Sequence, residues 1–114
     1  MIPEEIIEEA VSRLVATAKP QKIFLFGSYA RGDAQEHSDL DFLVVQKEIK
    51  NRRKESVHLQ DVLRPMRLPV DILITSEATF KEWEDVIGTV FNEIKREGIL
   101  CYDAIEISSG EDDE

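Results

Sequence analysis

The stretch "GSYARGDAQEHSDLD", residues 27–41, limits the possible folds of this chain more than any other. It follows "KIFLF", a continuous apolar run of strand length, and leads into "LDFLVV", a second one. Continuous apolar runs of this length read as strands buried on both faces. A glycine at a strand end lets backbone approach a ligand closely, and a serine after it adds a hydroxyl beside the outward-pointing amides of the next turn. Asp39 and Asp41 are one residue apart. In an extended segment they share a face, about 6 to 7 Å from each other. Two carboxylates so placed suit a hard divalent cation, and a pair of such cations is the usual clamp for in-line phosphoryl transfer.

A second cation needs a third carboxylate. Asp71 is the candidate, because it interrupts the apolar strand "PVDILIT" and an aspartate inside such a strand is costly to bury unless paired or metal-bound. Asp61 is a weaker rival in a predicted helix. The Gly-Ser turn is not a Walker loop, since no G-x-x-x-x-G-K-[ST] occurs.

The remaining elements follow from periodicity. "PEEIIEEAVSRLVATAK" puts Ile6, Ile7, Ala10, Val11, Leu14, Val15 and Ala18 on one helical face, with acidic residues at its start. "YARG" reads as one helical turn. "NRRKESVHLQDVLRPMR" carries Leu59, Val62, Leu63 and Met66 at helical spacing until Pro65. Ser76 caps a further helix, with Thr79 one turn in. Phe80, Trp83, Ile87, Val90, Phe91 and Ile94 form one stripe along it up to Gly98, with Trp83 and the phenylalanines as core. "ILCYDAI" adds a short strand or packs as a tail. The expected fold is α/β (α+β): a small mixed sheet with helices mainly on one face. Residues 1–105 form one domain, and the acidic segment 106–114 is expected to be a disordered tail.

The chain has 114 residues and a formal charge of -10, with Glu106, Glu111, Asp112, Asp113 and Glu114 among its last nine residues. The body therefore carries about half of that charge, which argues against extended nucleic-acid binding but not against a small anion bound with metal ions. No apolar run is long enough for a membrane span. No export signal is expected from the acidic N-terminus, and a single cysteine, Cys101, suits a cytoplasmic location and a packing role. His37 reads as a solvated loop residue, His58 as a helix-surface residue and Tyr29 as a packing residue. Residues 47–67 hold seven basic residues against three acidic ones, a local excess that reads as a solvated face or as part of the site mouth.

The pattern G-S-x-A-R-G-x(5)-S-D-x-D fixes eight positions, which coincide by chance roughly once in 10⁹ sites. "GSYARGDAQEHSDLDFLVV" resembles the signature of the minimal nucleotidyltransferases (MNT) of the DNA polymerase beta superfamily, and "PVDILI" resembles the strand bearing that family's third carboxylate. The resemblance implies that Gly27 and Ser28 hold the phosphates of a nucleoside triphosphate. It implies Asp39, Asp41 and Asp71 as catalytic ligands of two Mg²⁺ ions, with Asp71 as the base for the attacking hydroxyl. Arg31 would pair with the triphosphate or brace an aspartate, and Ser38 would orient the loop ahead of Asp39. The implied reaction transfers a nucleoside monophosphate and releases pyrophosphate. Carboxylates alone hold Mg²⁺ poorly, so tight metal binding is expected only with the nucleotide.

The larger enzymes of that superfamily carry further domains for the acceptor, and none is expected within 114 residues. By resemblance to the antitoxins of HEPN/MNT toxin–antitoxin pairs, the expected partner is a helical HEPN-type protein, the expected nucleotide ATP and the acceptor a tyrosine hydroxyl. A homodimer that completes the acceptor site also fits. Two other functions remain open at this point: a non-catalytic module that neutralises its partner by occlusion, and transfer to a small molecule such as an aminoglycoside.

Overall fold

Four strands form one mixed sheet in the order β3-β2-β1-β4. The computed structural model describes residues 1–105, and the predicted tail, 106–114, lies outside the described residues. The elements are α1 (Glu4–Ala18), β1 (Lys22–Phe26), α2 (Ser28–Arg31), β2 (Leu40–Gln46), α3 (Arg52–Leu63), a 3-10 turn (Arg64–Met66), β3 (Val70–Ser76), α4 (Glu77–Trp83), α5 (Val90–Glu97) and β4 (Ile99–Asp103). β1 runs antiparallel to both β2 and β4, whereas β2 and β3 are parallel. Of the two readings of "ILCYDAI", the strand is the one formed.

The alternation of each strand divides the core in two. Leu40, Phe42 and Val44 of β2, with Ile23, Leu25, Ile72 and Ile74, pack against Ala10, Val11 and Leu14 of α1 and Leu59 and Leu63 of α3. Cys101 also packs here, and burial pushes its thiol up. The intervening residues Leu43 and Val45, with Phe24, face Phe80 of α4 and Ile94 of α5. The two long helices thus share one face, as expected, and two short ones cover part of the other. Phe80 is the hinge of this second core. Its ring lies 5.4 Å from Phe24 and 6.1 Å, edge-on, from Phe91.

The stripe read as one helix from Phe80 to Ile94 is two helices. Thr89 accepts a hydrogen bond from the amide of Asn92 and starts α5, and its hydroxyl donates to Val86 O at 2.8 Å. Gly88, at φ +95°, supplies the left-handed turn just before it. As expected, Ser76 caps α4 by accepting from Thr79 N at 3.1 Å, and Gly98 ends α5. The break turns part of the stripe outward: Trp83 is 41% exposed and Ile87 88%, whereas Phe80 is 4% exposed. The expectation of a core Trp83 is therefore corrected. Trp83→Ala is expected to cost less than about 1 kcal/mol and Phe80→Ala about 3 to 4 kcal/mol, measured by urea denaturation.

Candidate active site

Three chain ends meet at one edge of the sheet. β1 leaves it at Phe26, while the parallel β2 and β3 enter it, with Leu40 N donating to Pro69 O at 2.8 Å. Asp41 is paired across the sheet with Phe26 on one side and with Asp71 on the other. Side chains in register on adjoining strands share a face at a strand spacing of about 4.8 Å. The register therefore puts Asp41 and Asp71 side by side, on the face of Leu43 and Leu73. Asp39 precedes β2 on the same alternation. Asp71 is exposed rather than buried, so the burial argument for it is corrected: strand register, not enclosure, brings it to Asp41.

Gly27 lies in the tightest part of this geometry. It has φ +74° and ψ -153°, a region open essentially to glycine alone. A Cβ placed on it would overlap Asp41 Oδ2 and stand 3.1 Å from Asp41 Cγ. The missing side chain is thus what lets a carboxylate and a turn share the space. Beyond it, Ala30 N and Arg31 N both donate to Gly27 O at 3.1 Å. The amides ahead of these, of Ser28 and Tyr29, have no acceptor within the turn.

Asp41 holds its proton more tightly than an ordinary aspartate. Partial burial is the main cause, the negative charges of Asp71 and Asp39 add to it, and Arg31 opposes it. A cluster that repels itself in this way calls for positive charge. Among the described residues no group of three or more His, Cys, Asp or Glu side chains stands close enough to form a ready cation cage. The donor set still fits a hard cation, because the three aspartates offer only oxygen.

The neighbouring residues take distinct places. Arg31 Nε donates to Asp33 Oδ2 at 3.3 Å. Ser38 Oγ accepts from Gln35 N at 2.8 Å, and Ser38 N donates to Gln35 O at 3.0 Å, so Ser38 closes the loop just before Asp39. Tyr29 turns away into the α1 core, where its hydroxyl accepts from Ile2 N at 3.1 Å. His37 and His58 are exposed, and Asp61 pairs with Arg64 at 2.6 Å on the α3 side. The basic segment divides. Arg52 donates to Ile74 O, near the far end of β3, so Lys47 to Lys54 lie away from the carboxylates, while α3 returns Arg64 and Arg67 toward the start of β3.

A cleft of about 350 Å³ opens over the carboxylate edge, lined by Phe26, Gly27, Ser28, Arg31 and Asp41 on one side and Val90, Glu93 and Glu97 of α5 on the other. A larger apolar cleft, about 680 Å³, lies between α1 and β4 and contains none of the three aspartates. The smaller cleft is the better candidate because Gly27, Arg31 and Asp41, the aspartate in register with Asp71, line it. Sequence reasoning missed its α5 wall. The spacing 90, 93, 97 marks one helical face, but nothing in the sequence says which strand end that face meets.

A turn without a Cβ thus stands against a carboxylate pair on adjoining strands, beside a cleft whose charged lining is Arg31, Asp41, Glu93 and Glu97. Residues 4–101 match the Nucleotidyltransferase domain family, and the chain belongs to that family. It is a nucleotidyltransferase. A Methanocaldococcus jannaschii protein named "Putative protein adenylyltransferase" is 38% identical over 73 residues, 62% of this chain and 73% of its own length. Among solved structures, a toxin–antitoxin with AMP-PNP aligns at TM-score 0.59 and 19% identity, covering 90% of this chain and 77% of that one. The complex of a tri-AMPylated Shewanella oneidensis HEPN toxin with its MNT antitoxin aligns at 0.60 and 16% identity, covering 94% and 78%. At these identities the two structures speak for the fold alone. Among the described residues no helix is long and apolar enough to cross a membrane.

Proposed function

We propose that this protein transfers AMP from ATP to a hydroxyl of a HEPN-type partner protein, in a Mg²⁺-dependent reaction that silences the partner. The observation that carries this reading is the register that sets Asp41 beside Asp71 and against Gly27. Gly27 and Ser28 receive the phosphates, through backbone amides and a hydroxyl that has no protein partner among the described residues. Asp39, Asp41 and Asp71 hold two Mg²⁺ ions, which supply charge neutralisation for the triphosphate. Asp71, the most open of the in-register pair, takes the proton of the attacking hydroxyl. The hydroxyl oxygen bonds to the α-phosphorus, the bond from that phosphorus to the bridging oxygen breaks, and pyrophosphate leaves. Arg31 braces the cleft floor beside Asp41. Such a reaction needs position and charge rather than covalent help, which suits a small domain.

The nucleotide assignment draws on the AMP-PNP bound by one structural relative, and the acceptor on the tri-AMPylated HEPN toxin of the other. The test incubates the protein with α-labelled ATP, Mg²⁺ and a HEPN-type protein encoded beside it. Label is expected on the partner and is expected to vanish in the Asp39→Asn/Asp41→Asn double variant. A tight complex that takes no label from any nucleoside triphosphate overturns transfer in favour of occlusion.

A further inference from the structure

The α5 wall of the cleft has a chemistry that the phosphate end does not explain. Its polar groups are Glu93 and Glu97, one turn apart, and Val90 lies one turn before Glu93 on the same face. Neither carboxylate has an ion-pair or hydrogen-bond partner among the described residues. The cations of the same helix are engaged elsewhere: Lys95 pairs with Asp85 at 2.5 Å and with Glu84 at 3.3 Å, and Arg96 donates to Asn92 Oδ1 at 2.9 Å. Two unpaired carboxylates thus face a cleft that takes an anionic ligand. A carboxylate accepts and cannot donate, so they meet that ligand directly only where it presents hydrogen-bond donors, and its anionic oxygens only through a bound cation.

The direction of α5 says which part of a nucleotide meets them. Gly98, the cap after Glu97, is so close to β1 that a Cβ on it would stand 3.2 Å from Leu25 O, two residues before Gly27. Glu97 is therefore at the phosphate end, Glu93 follows, and Val90 is about 10 Å further along at 1.5 Å per residue. That is the span of a nucleoside. Past Val90 the surface continues as the exposed Val86 and Ile87.

We infer that Glu93 and Glu97 accept hydrogen bonds from the ribose hydroxyls and make the site selective for ribonucleotides, while Val90 gives the base an apolar surface that does not read it. A carboxylate that holds a ribose diol next to a phosphate site is a known solution in dinucleotide-binding folds. This inference rests on the nucleotidyl-transfer reading of the same cleft.

The test is calorimetric titration of ATP, 2′-deoxy-ATP and 3′-deoxy-ATP with Mg²⁺ and no acceptor, into the wild type and the Glu93→Ala/Glu97→Ala variant. The wild type is expected to bind at least one deoxy analogue about tenfold or more weakly than ATP, the worth of a hydrogen bond to a charged group. In the variant the ratio is expected to fall toward one, with an unchanged denaturation midpoint because both side chains are exposed. Equal wild-type affinity for ATP and both analogues overturns the inference and leaves the transfer reading standing. A preference that survives in the variant also overturns it, since the sugar is then read elsewhere. A wild type that binds no ATP removes both.

Discussion

Replacing Gly27 by alanine is expected to lower stability by about 2 to 4 kcal/mol and nucleotidyl transfer by at least about 100-fold. Two separate costs add. The first is backbone: φ +74° with ψ -153° carries a penalty of about 1 to 3 kcal/mol for any residue with a side chain. The second is overlap, because the new methyl meets the carboxylate of Asp41. The costs separate in a double-mutant cycle. Asp41→Ala removes the overlap but not the strain, so the Gly27→Ala/Asp41→Ala protein is expected to recover about 1 kcal/mol or more relative to additive behaviour in urea denaturation. Strict additivity would mean that the turn relaxes away from Asp41 and that the close approach has no energetic content. On the proposed function the activity loss has the same origin, since moving the turn or the carboxylate misplaces the two groups assigned to one triphosphate.

Asp41→Asn is expected to do the opposite to stability. In the folded protein partial burial, Asp71 and Asp39 all disfavour the charged form, so the folded carboxyl titrates above its unfolded counterpart. Below the ordinary aspartate range, about pH 3.9, the group is protonated in both states and contributes its full share. As pH rises through the folded value that share is lost. The asparagine variant is therefore expected to melt higher than the wild type at pH 7.5 without metal, and the difference is expected to close by about pH 3. Its transfer activity is expected to fall at least about 100-fold. A variant that melts lower than the wild type at pH 7.5 would sink the idea that the carboxylates repel one another until a cation arrives. The pairing of higher stability with lost activity marks a group kept for chemistry rather than for the fold.

Much of this is legible in the sequence. Strand runs, the Gly-Ser turn, the Asp39–Asp41 spacing and the caps at Ser76 and Gly98 are local features, set by side-chain type and periods of two and 3.6. The break between α4 and α5, residues 84–89, is hidden from a periodicity argument because the apolar stripe keeps its period across it. The spacing of Phe80, Ile87 and Ile94 is that of one helix, and only the Thr89 cap and the left-handed Gly88 reveal two. The same unbroken period makes the half-exposed Trp83 read as core.

By itself, then, the sequence determined the α/β class, the turn and the aspartate pair, because each depends on neighbours within a few residues. Tertiary structure alone decided that Asp71 stands beside Asp41, that Gly27 must lack a Cβ, that α4 and α5 cover Leu43 and Val45, and that Glu93 and Glu97 face the cleft. Those facts depend on the register between strands and on which strand end a helix meets. No local pattern encodes either, because both are set by how the two layers of core pack against the sheet.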